Sequence, residues 1–403
     1  MAKRILIYTN HYFPEQFKIN EIVDWLSEKK YHLRVITGLP NYPSGKIHQG
    51  YFPFDKKENL NNKDVIVNRL LLIPRGKGGS LMLLLNYLSY FISCFIFTFY
   101  ISIVKKKYDI IFVHHTSPIF IAIHPRIYSI FHRTKKFLWD LDLWPETLQA
   151  MDIIKSDKVL KIVEFFVKKI YSTYDGILIG SKGFKTIVEK RFNGDVIYFP
   201  NWAEKSIEKN TTNKVINLKL PQNKFIIMYT GNIGEAQNFQ ELISTIKILD
   251  ENFHWVFIGG GRFKDKFISL INQHNILSKV SFFDQVSLYQ IPLYVSKANC
   301  LFLSLRDREI FSKTVPAKLQ SYMALEKPII GVLRGDGAEI IKASKCGFVE
   351  ERNNFKNLAK MIQEIYNMPK EELDNLGKNG RTYYDNHFSI QKRRQQLFNL
   401  FNE

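Results

Sequence analysis

Two sets of short apolar runs, each alternating with helical stretches, restrict the folds open to this chain. The first set contains Arg4–Thr9, Leu33–Thr37, Val65–Ile73, Ile110–His114, Lys136–Asp140, Gly176–Ile179 and Val196–Phe199. The second contains Phe225–Thr230, Trp255–Ile258, Val280–Phe283, Cys300–Leu303, Pro328–Val332 and Gly347–Glu350. Apolar runs separated by helices such as Glu21–Lys30 and Val159–Tyr174 predict an α/β fold with doubly wound parallel sheets.

A polar stretch rich in Lys and Asn, Asn201–Asn223, separates the two sets as a linker would. A chain of 403 residues is also too long for one ordinary core. We therefore predict two Rossmann-like domains facing a central cleft, residues 1–200 and 201–383. The segment 384–403 is predicted to hold a last helix, Ile390–Phe401, after an aromatic-rich bend at Tyr383–Phe388.

The charge balance is strongly basic, with 57 Lys and Arg against 38 Asp and Glu and a net charge of +19. This excess indicates a polyanionic partner or a compositional bias, and both interpretations remain open. The cysteines Cys94, Cys300 and Cys346 follow no metal or disulfide spacing, which fits a reducing, cytosolic setting. Ile5–Tyr8 is too short for the core of a signal peptide and is interpreted as the first strand.

Ser80–Val104 is a long stretch without a charged residue, flanked by Arg75 on one side and by lysines on the other. Its length alone is enough to span a bilayer. Because the strands on either side belong to one predicted sheet, a helix here begins and ends on the same side of a membrane. Contact with the membrane interface is favoured over a buried helix and over a true crossing. The predicted membrane contacts are Lys77, Leu84, Phe91, Phe95, Lys105, Lys106 and Lys107.

The segment Thr314–Glu339 predicts a phosphate site. A turn opens a helix, a buried strand follows, and a loop of small residues, Gly335–Glu339, carries acids. Amides at a helix N-terminus and glycine backbone bind pyrophosphate well. Tyr229–Gly234 follows a strong strand, and its backbone amides are predicted to approach the same group. Gly259–Gly261 is interpreted as a tight turn.

Four loops of the first domain follow predicted strands and mix prolines, aromatics and titratable side chains. They are Asn10–Glu15, Gly38–Pro43, His114–Pro118 and Asp140–Glu146. Ligands of parallel sheets bind at the carboxyl ends of the strands, and such a composition suits a sugar. The alternative is that prolines and aromatics only shape these loops.

Thr314–Glu339 resembles the donor-binding signature of retaining GT-B glycosyltransferases, family four of that classification. Tyr12–Glu15, Pro40–Lys46 and Asp142–Glu146 resemble those members that build bacterial O-antigen and capsule, especially aminodeoxysugar transferases. The resemblance implies that the terminal helix crosses back onto the first domain. It also implies a UDP-linked N-acetyl-6-deoxyaminosugar donor, such as UDP-N-acetyl-L-fucosamine. The implied acceptor is a polyprenyl-diphosphate-linked N-acetylhexosamine.

The same resemblance suggests roles for individual residues. His115 is the candidate for a histidine that contacts the donor sugar, and Asp142 orients a hydroxyl, acts as a base or is structural. The candidate acceptor-binding residues are His11, Tyr12, Phe13, Pro14, Glu15, Asn41 and Tyr42. The candidate donor-binding residues are Gly231, Asn232, Gly234, Gln285, Val286, Lys313, Thr314, Lys318, Ser321, Gly335, Gly337, Ala338 and Glu339.

The sequence departs from the broad family in two places. Asn232 and Gln237 stand where many relatives have an arginine and a lysine, so Lys313 and Lys318 become the nearest cations for the diphosphate. Lys313 and Ser321 stand where the family has a pair of glutamates. Glu339 remains as an acid that contacts a hydroxyl or favours the helix dipole.

Asp140 and Asp142 have the spacing of a metal motif but lie in the predicted acceptor domain. No metal and no cofactor are expected, because enzymes that resemble this chain stabilise the leaving diphosphate with cations and helix amides. A nucleotide-sugar epimerase or hydrolase of the same fold and a basic nucleic-acid-binding protein are the alternatives. No recognition helix supports nucleic acid as a partner. The expected location is the cytoplasmic face of the inner membrane.

Overall fold

The computed structural model describes residues 2–60, 63–76, 79–105, 107–208 and 220–402. The chain forms two compact units, one of Met1–Phe199 with Gln396–Glu403 and the other of Pro200–Gln395. Residues 384–395 therefore group with the second unit, and only the end of the last helix groups with the first.

The first unit is built on an eight-stranded sheet. Its strands are β1 (Arg4–Thr9), β2 (His32–Gly38), β3 (Phe54–Leu60), β4 (Lys63–Leu70), β5 (Ile110–His115), β6 (Lys135–Asp140), β7 (Gly176–Ile179) and β8 (Asp195–Tyr198). Their order is β3-β4-β2-β1-β5-β6-β7-β8. All neighbours are parallel except β3 and β4, which are antiparallel.

The second unit is built on a six-stranded parallel sheet. Its strands are β9 (Phe225–Thr230), β10 (Phe253–Ile258), β11 (Val280–Phe283), β12 (Cys300–Ser304), β13 (Ile329–Val332) and β14 (Gly347–Glu350), in the order β11-β10-β9-β12-β13-β14. Every residue of β9, β10 and β12 is buried, as expected for strands covered on both faces. The predicted α/β class with two Rossmann-like domains is confirmed.

Sixteen α-helices connect and cover these strands in the part of the chain that the structure describes. They are α1 (Lys18–Glu28), α2 (Ser80–Val104), α3 (His124–Phe131), α4 (Glu146–Ala150), α5 (Asp157–Tyr171), α6 (Lys185–Glu189), α7 (Lys205–Glu208), α8 (Phe239–Ile248), α9 (Lys264–Gln273), α10 (Ile291–Val295), α11 (Glu309–Ser312), α12 (Ala317–Ala324), α13 (Asp336–Ser344), α14 (Phe355–Tyr366), α15 (Lys370–His387) and α16 (Ile390–Asn402).

Three local predictions were wrong. Strand β3 was not expected, because its sequence FDKKENL is largely charged and polar, which an edge strand tolerates. Strand β4 ends at Leu70 instead of Ile73, since the backbone N–H and carbonyl of Ile73 bond to Ser89 and Asn86 of α2 instead of to a strand. The bend predicted over Tyr383–Phe388 is shorter, because α15 continues to His387.

The predicted linker also contains structure, since α7 lies within Asn201–Asn223. The remaining part of that linker, residues 209–219, lies outside the described residues, as do Lys77 and Lys106.

Helix α2 packs on the first sheet through a polar stripe. Asn86, Tyr90, Cys94, Thr98 and Ser102 are buried at intervals of four residues. The Tyr90 hydroxyl donates to the Thr9 carbonyl at 2.9 Å, and the Thr98 and Tyr8 hydroxyls lie 3.1 Å apart. The exposed face is apolar and comprises Leu81, Leu84, Leu88, Ile92, Phe95, Ile96, Phe99 and Ile103.

This arrangement decides between two of the earlier alternatives. Among the described residues α2 alone is long and apolar enough to cross a membrane. Strands β4 and β5, to which its ends connect, lie in one sheet, so the helix lies along the sheet and does not leave the unit. The alternative of a buried core helix is wrong, because the apolar face is exposed.

The strand orders also locate the switch points of the two sheets. In the first sheet β1 lies between β2 and β5, and in the second β9 lies between β10 and β12. Loops after such strands diverge to opposite faces and leave a crevice in which ligands of parallel sheets bind. The loops after β1, β5, β9 and β12 are therefore the first places to examine.

Gly259, at the end of β10, is required by close backbone approach. Its φ is +145°, and a Cβ built there would lie 2.0 Å from the Gly231 carbonyl oxygen. Gly259→Ala should destabilise the second unit by about 1–3 kcal/mol, measured by urea denaturation. Gly260→Ala is the matched control, because a Cβ there meets no atom within 4 Å. Equal stability of the two variants would contradict this explanation.

Candidate functional site

The four loops at the carboxyl edge of the first sheet are joined by hydrogen bonds. Glu15 links the first loop to the second, because its Oε1 accepts the N–H groups of Asn41 and Tyr42 at 2.7 and 2.6 Å. The Asn10 side chain donates to the Ser117 carbonyl at 2.9 Å, which links the first loop to the third. Each loop also contains a cis peptide bond before proline. The structure thus brings the predicted loops together.

His11 and Glu15 form a buried pair at the centre of these loops. His11 Nδ1 lies 2.5 Å from Glu15 Oε2, and Arg75 donates to His11 Nε2 at 2.9 Å. Because an arginine only donates, Nε2 is the acceptor and Nδ1 carries the proton of a neutral imidazole. Burial lowers the pKa of His11. Burial opposes ionisation of Glu15, but hydrogen bonds from His11 and the two amides leave its pKa lowered. The pair is a neutral histidine donating to a carboxylate.

The predicted acceptor-binding residues divide by exposure. Phe13 and Tyr42 expose 47% and 39% of their surface, and Pro14 is partly exposed. The other four, His11, Tyr12, Glu15 and Asn41, are buried, and their role as direct contacts stays a prediction. Their polar groups shape the loops: for instance, Asn41 donates to the Leu39 carbonyl and accepts from the Arg75 amide.

The side chain of His115 is fully buried, and its contact with the donor sugar stays a prediction. Its Nδ1 lies 2.8 Å from Asp140 Oδ1, and the Tyr171 hydroxyl donates to the other oxygen of the same carboxylate. His115 Nε2 has no hydrogen-bond partner among the described residues. The bond to Asp140 fixes the orientation of the imidazole ring. The neighbouring His114 is buried as well, and burial lowers its pKa to about 3.

Asp142 is partly exposed and is held by the third loop. The Ser117 hydroxyl donates to Asp142 Oδ2 and accepts the indole N–H of Trp144 at 2.8 Å. The residue is thus oriented by its neighbours, and its carboxylate is positioned at the carboxyl edge of the sheet. A structural role and a role toward a hydroxyl are both compatible with this geometry.

In the second unit, the loop after β9 carries fewer open amides than predicted. The N–H groups of Gly231, Ile233 and Gly234 donate to Ile258, Gly260 and the Gln237 side chain at 2.8, 2.8 and 2.9 Å. Gly234 is buried, whereas Gly231 and Asn232 are exposed. These three amides therefore already have partners, and an approach of the loop's amides to a diphosphate stays a prediction. Gly259–Gly261 packs against this loop, as a structural turn would.

Lys318, on the first turn of α12, lies against this loop. Its Nζ lies 4.9 Å from the centre of the Tyr229 ring, and a Cβ built at Gly231 would lie 2.5 Å from its Cε. It forms no ion pair with the residues that the structure describes. Burial lowers the pKa of Lys318 to about 8. An amine held beside a glycine without a counter-charge is well suited to an anionic ligand.

Lys313 and Thr314 have local partners. Lys313 Nζ lies 2.7 Å from Glu309 Oε1, one helical turn away on the surface. The Thr314 hydroxyl donates to the Ile310 carbonyl at 2.7 Å and so closes α11. Exposed pairs of this kind contribute little to stability, which leaves Lys313 available to another anion.

Ser321 shows where an acid lies in this part of the site. Its hydroxyl donates to Glu204 Oε2 at 3.0 Å. Ser321 stands where the family that this chain resembles has a glutamate. A carboxylate nevertheless lies beside this position, because Glu204, 117 residues earlier in the chain, contacts Ser321. Glu204 was not predicted as a site residue, because this residue lies in the predicted linker and matches no motif.

The small-residue loop before α13 is shaped by Gly335. Its φ is +72°, and a Cβ there would lie 2.0 Å from the Ser312 carbonyl oxygen. Gly337 and Ala338 are buried in the first turn of α13, where helix amides lack intrahelical partners. Glu339 is exposed and bonds to Lys342 at 3.2 Å. Its carboxylate lies in the first turn, where it favours the helix dipole.

Gln285 and Val286 follow β11 at the edge of the second sheet, with Gln285 exposed and Val286 partly so. Among the residues that the structure describes, no group of three His, Cys, Asp or Glu side chains is placed to hold a metal ion.

Comparison with known proteins shows which proteins this chain is similar to. Residues 210–383 match the family described as glycosyl transferases group 1. The colanic acid biosynthesis glycosyl transferase WcaI of Escherichia coli (strain K12) is 26% identical over 337 residues, 80% of this chain and 81% of that protein. Glycosyltransferase WbjE of Pseudomonas aeruginosa is 24% identical over 269 residues, 63% and 65% of the two chains. Sucrose-phosphate synthase of Thermosynechococcus elongatus has a similar fold, with a TM-score of 0.74 at 16% identity over 100% of this chain and 98% of that one.

The two parallel-sheet units have the fold of GT-B glycosyltransferase structures, and residues 210–383 resemble the glycosyl transferases group 1. The chain is similar to transferases of colanic acid and capsule biosynthesis.

The low pKa of Lys318 predicts a pH-dependent stability. Below about pH 8 the ammonium is buried at a cost, and between pH 8 and 10.5 the folded state releases its proton before the unfolded state does. Wild type should therefore gain about 1–3 kcal/mol relative to Lys318→Met as the pH rises through this range. Urea denaturation of both proteins measures the difference. Lys356→Met, at an exposed lysine of the same unit, should show no such change. A pH-independent difference for Lys318→Met would contradict the assignment.

Proposed function

We propose that this protein transfers a sugar, with retention and without a metal ion, from a UDP-sugar to a polyprenyl-diphosphate-linked N-acetylhexosamine. The proposed donor is a UDP-linked N-acetyl-6-deoxyaminosugar such as UDP-N-acetyl-L-fucosamine. The reaction serves the synthesis of a bacterial surface polysaccharide, O-antigen or capsule. It takes place at the cytoplasmic face of the inner membrane, to which the protein binds peripherally.

The exposed face of α2 is the observation that carries this proposal. In an ordinary surface helix the apolar face is buried and the polar face is hydrated. In α2 the order is reversed, because Thr98 and Ser102 face the sheet whereas Leu84 and Phe95 expose 60% and 46% of their surface. A helix of this kind is stable only beside another apolar phase, and a lipid acceptor supplies one.

Neighbouring elements extend the apolar surface and add charge. The rings of Phe99 on α2 and Phe131 on α3 lie 5.7 Å apart, so the surface continues across both helices. Lys105 is partly exposed and Lys107 exposed at the end of α2. Phe91, a predicted membrane contact, is partly exposed and packs against His124, with the two ring centres 5.0 Å apart. Basic residues beside an apolar face favour an anionic bilayer over a protein partner.

Lys318 and the first turns of α12 and α13 support the donor half of the proposal. They present an unpaired amine and helix N-termini at the switch point of the second sheet. These groups stabilise the charge that develops on a leaving diphosphate. Glu204, next to Ser321, provides a carboxylate for a donor hydroxyl. We further propose that the departing phosphate helps to remove the proton of the acceptor hydroxyl.

The donor is tested by measuring UDP release from a panel of UDP-sugars with a polyprenyl-diphosphate-linked N-acetylglucosamine. We expect release with UDP-N-acetyl-L-fucosamine only when the acceptor is present, and a product with the anomeric configuration of the donor. Lys318→Met should raise the KM for the donor about tenfold, since an ionic contact to diphosphate is lost. Lys356→Met is the control. Release without transfer would favour the hydrolase alternative, and no release with any sugar would refute the proposal.

Membrane binding is tested by sedimentation with vesicles containing phosphatidylglycerol. Leu84→Glu combined with Phe95→Glu should reduce binding at least about tenfold, because each side chain loses apolar burial and adds a charge. Ile248→Glu is the matched control, an exposed apolar residue on α8 of the second unit. Unchanged binding of the double variant, or binding to DNA in place of vesicles, would contradict the membrane proposal.

A further inference from the structure

Arg75 is a half-buried cation that the sequence analysis noted only as a flank of α2. It lies between the end of β4 and the start of α2. Its guanidinium donates to His11 Nε2 at 2.9 Å and to Asn86 Oδ1 at 3.4 Å. It also lies 5.6 and 5.5 Å from the ring centres of Tyr42 and Tyr87. All these partners are neutral, and Arg75 forms no ion pair with the described residues.

The acid of this network does not neutralise Arg75. Both oxygens of Glu15 are used, one by His11 Nδ1 and the other by the amides of Asn41 and Tyr42. The neutral imidazole stands between the carboxylate and the guanidinium. His11 and Glu15 thus orient Arg75 and leave its charge uncompensated on the other side. Partly buried arginines usually have an anionic partner, because desolvation without one is costly.

The position of Arg75 indicates the kind of anion. Asn86, which accepts from the guanidinium, also donates to the Ile73 carbonyl at 2.6 Å and so fixes the chain leading to Arg75. The exposed apolar face of α2 begins beside this point, at Leu81 and Leu84. The N-terminus of α2, capped by Gly79 without a side-chain bond, adds positive dipole charge. Phe13 and Tyr42 provide exposed aromatic surface in the adjoining loops.

We propose that Arg75 binds the diphosphate of the lipid-linked acceptor. The hydrocarbon chain then lies along the apolar face of α2, and the sugar contacts Phe13 and Tyr42. This inference rests on the proposed function for the identity of the acceptor. The planar guanidinium donates two parallel hydrogen bonds to phosphate oxygens, which a lysine does not. His11 and Glu15 are positioning residues for this contact.

The test measures binding of farnesyl diphosphate, farnesyl monophosphate and farnesol in neutral detergent micelles, without any donor. Wild type should bind the diphosphate about tenfold or more tightly than farnesol, and Arg75→Gln should lose most of this preference. Arg133→Gln is the matched control. Arg133 is exposed and precedes β6, so it lies at the amino ends of the strands, away from the loops at the carboxyl edge. Asn86→Asp is a second variant that keeps the arginine but places a carboxylate against it. It should also lose the preference.

A second arm separates the acceptor from bulk lipid, which offers the same phosphate chemistry. Binding of Arg75→Gln to phosphatidylglycerol vesicles should stay within about twofold of wild type. Loss of vesicle binding with an unchanged diphosphate preference would make Arg75 a headgroup contact and overturn the proposal. Wild-type affinity for farnesyl diphosphate in both variants would overturn it as well. The binding test needs no donor and no turnover. Its result therefore does not depend on whether the UDP-sugar assay succeeds or fails.

Discussion

The hydrogen bonds between α2 and the first sheet are the interaction on which the acceptor half of the molecule depends. Tyr90 and Thr98 bind the sheet through Thr9 and Tyr8, so the helix is fixed by polar contacts and its apolar face is left outside. The same buried stripe includes Asn86, which binds the chain at Ile73 and the guanidinium of Arg75. The exposed apolar face of α2 and the position of the Arg75 guanidinium therefore have one structural cause.

Arg75 and Lys318 are partly buried, and neither forms an ion pair with the described residues. Arg75 in the first unit has neutral partners, and Lys318 in the second lies over the Tyr229 ring. Both lie near the switch point of their sheet, where the strand order reverses. Holding such a charge lowers stability, and that cost is explained most simply by an anionic ligand that offsets it. The donor and the lipid-linked acceptor that we propose would each supply a diphosphate to one of these cations.

The sequence predicted the sheets well because their strands are buried on both faces and stand out as continuous apolar runs. It missed β3, whose charged sequence has no such pattern. For the site, the sequence predicted which loops lie at the carboxyl edge of the first sheet. It did not predict which side chains of those loops are exposed. Tyr12, Glu15 and Asn41 are buried because of partners far along the chain: Glu15 bonds to an amide 26 residues away, and His11 to an arginine 64 residues away. The roles of Glu204 and Arg75 were not predicted for the same reason, because they depend on contacts that no local motif encodes.

The surroundings of Arg75 in the first unit and Lys318 in the second respond differently to pH. Burial lowers the pKa of His11, and its hydrogen bonds lower that of Glu15, so neither group changes charge as the pH rises from neutrality. His11 therefore keeps the lone pair that accepts the hydrogen bond from Arg75. Lys318, in contrast, loses its proton near pH 8 unless an anion retains it. An alkaline loss of transfer would thus arise in the donor half, through weaker binding of the diphosphate, while the acceptor half keeps its charge.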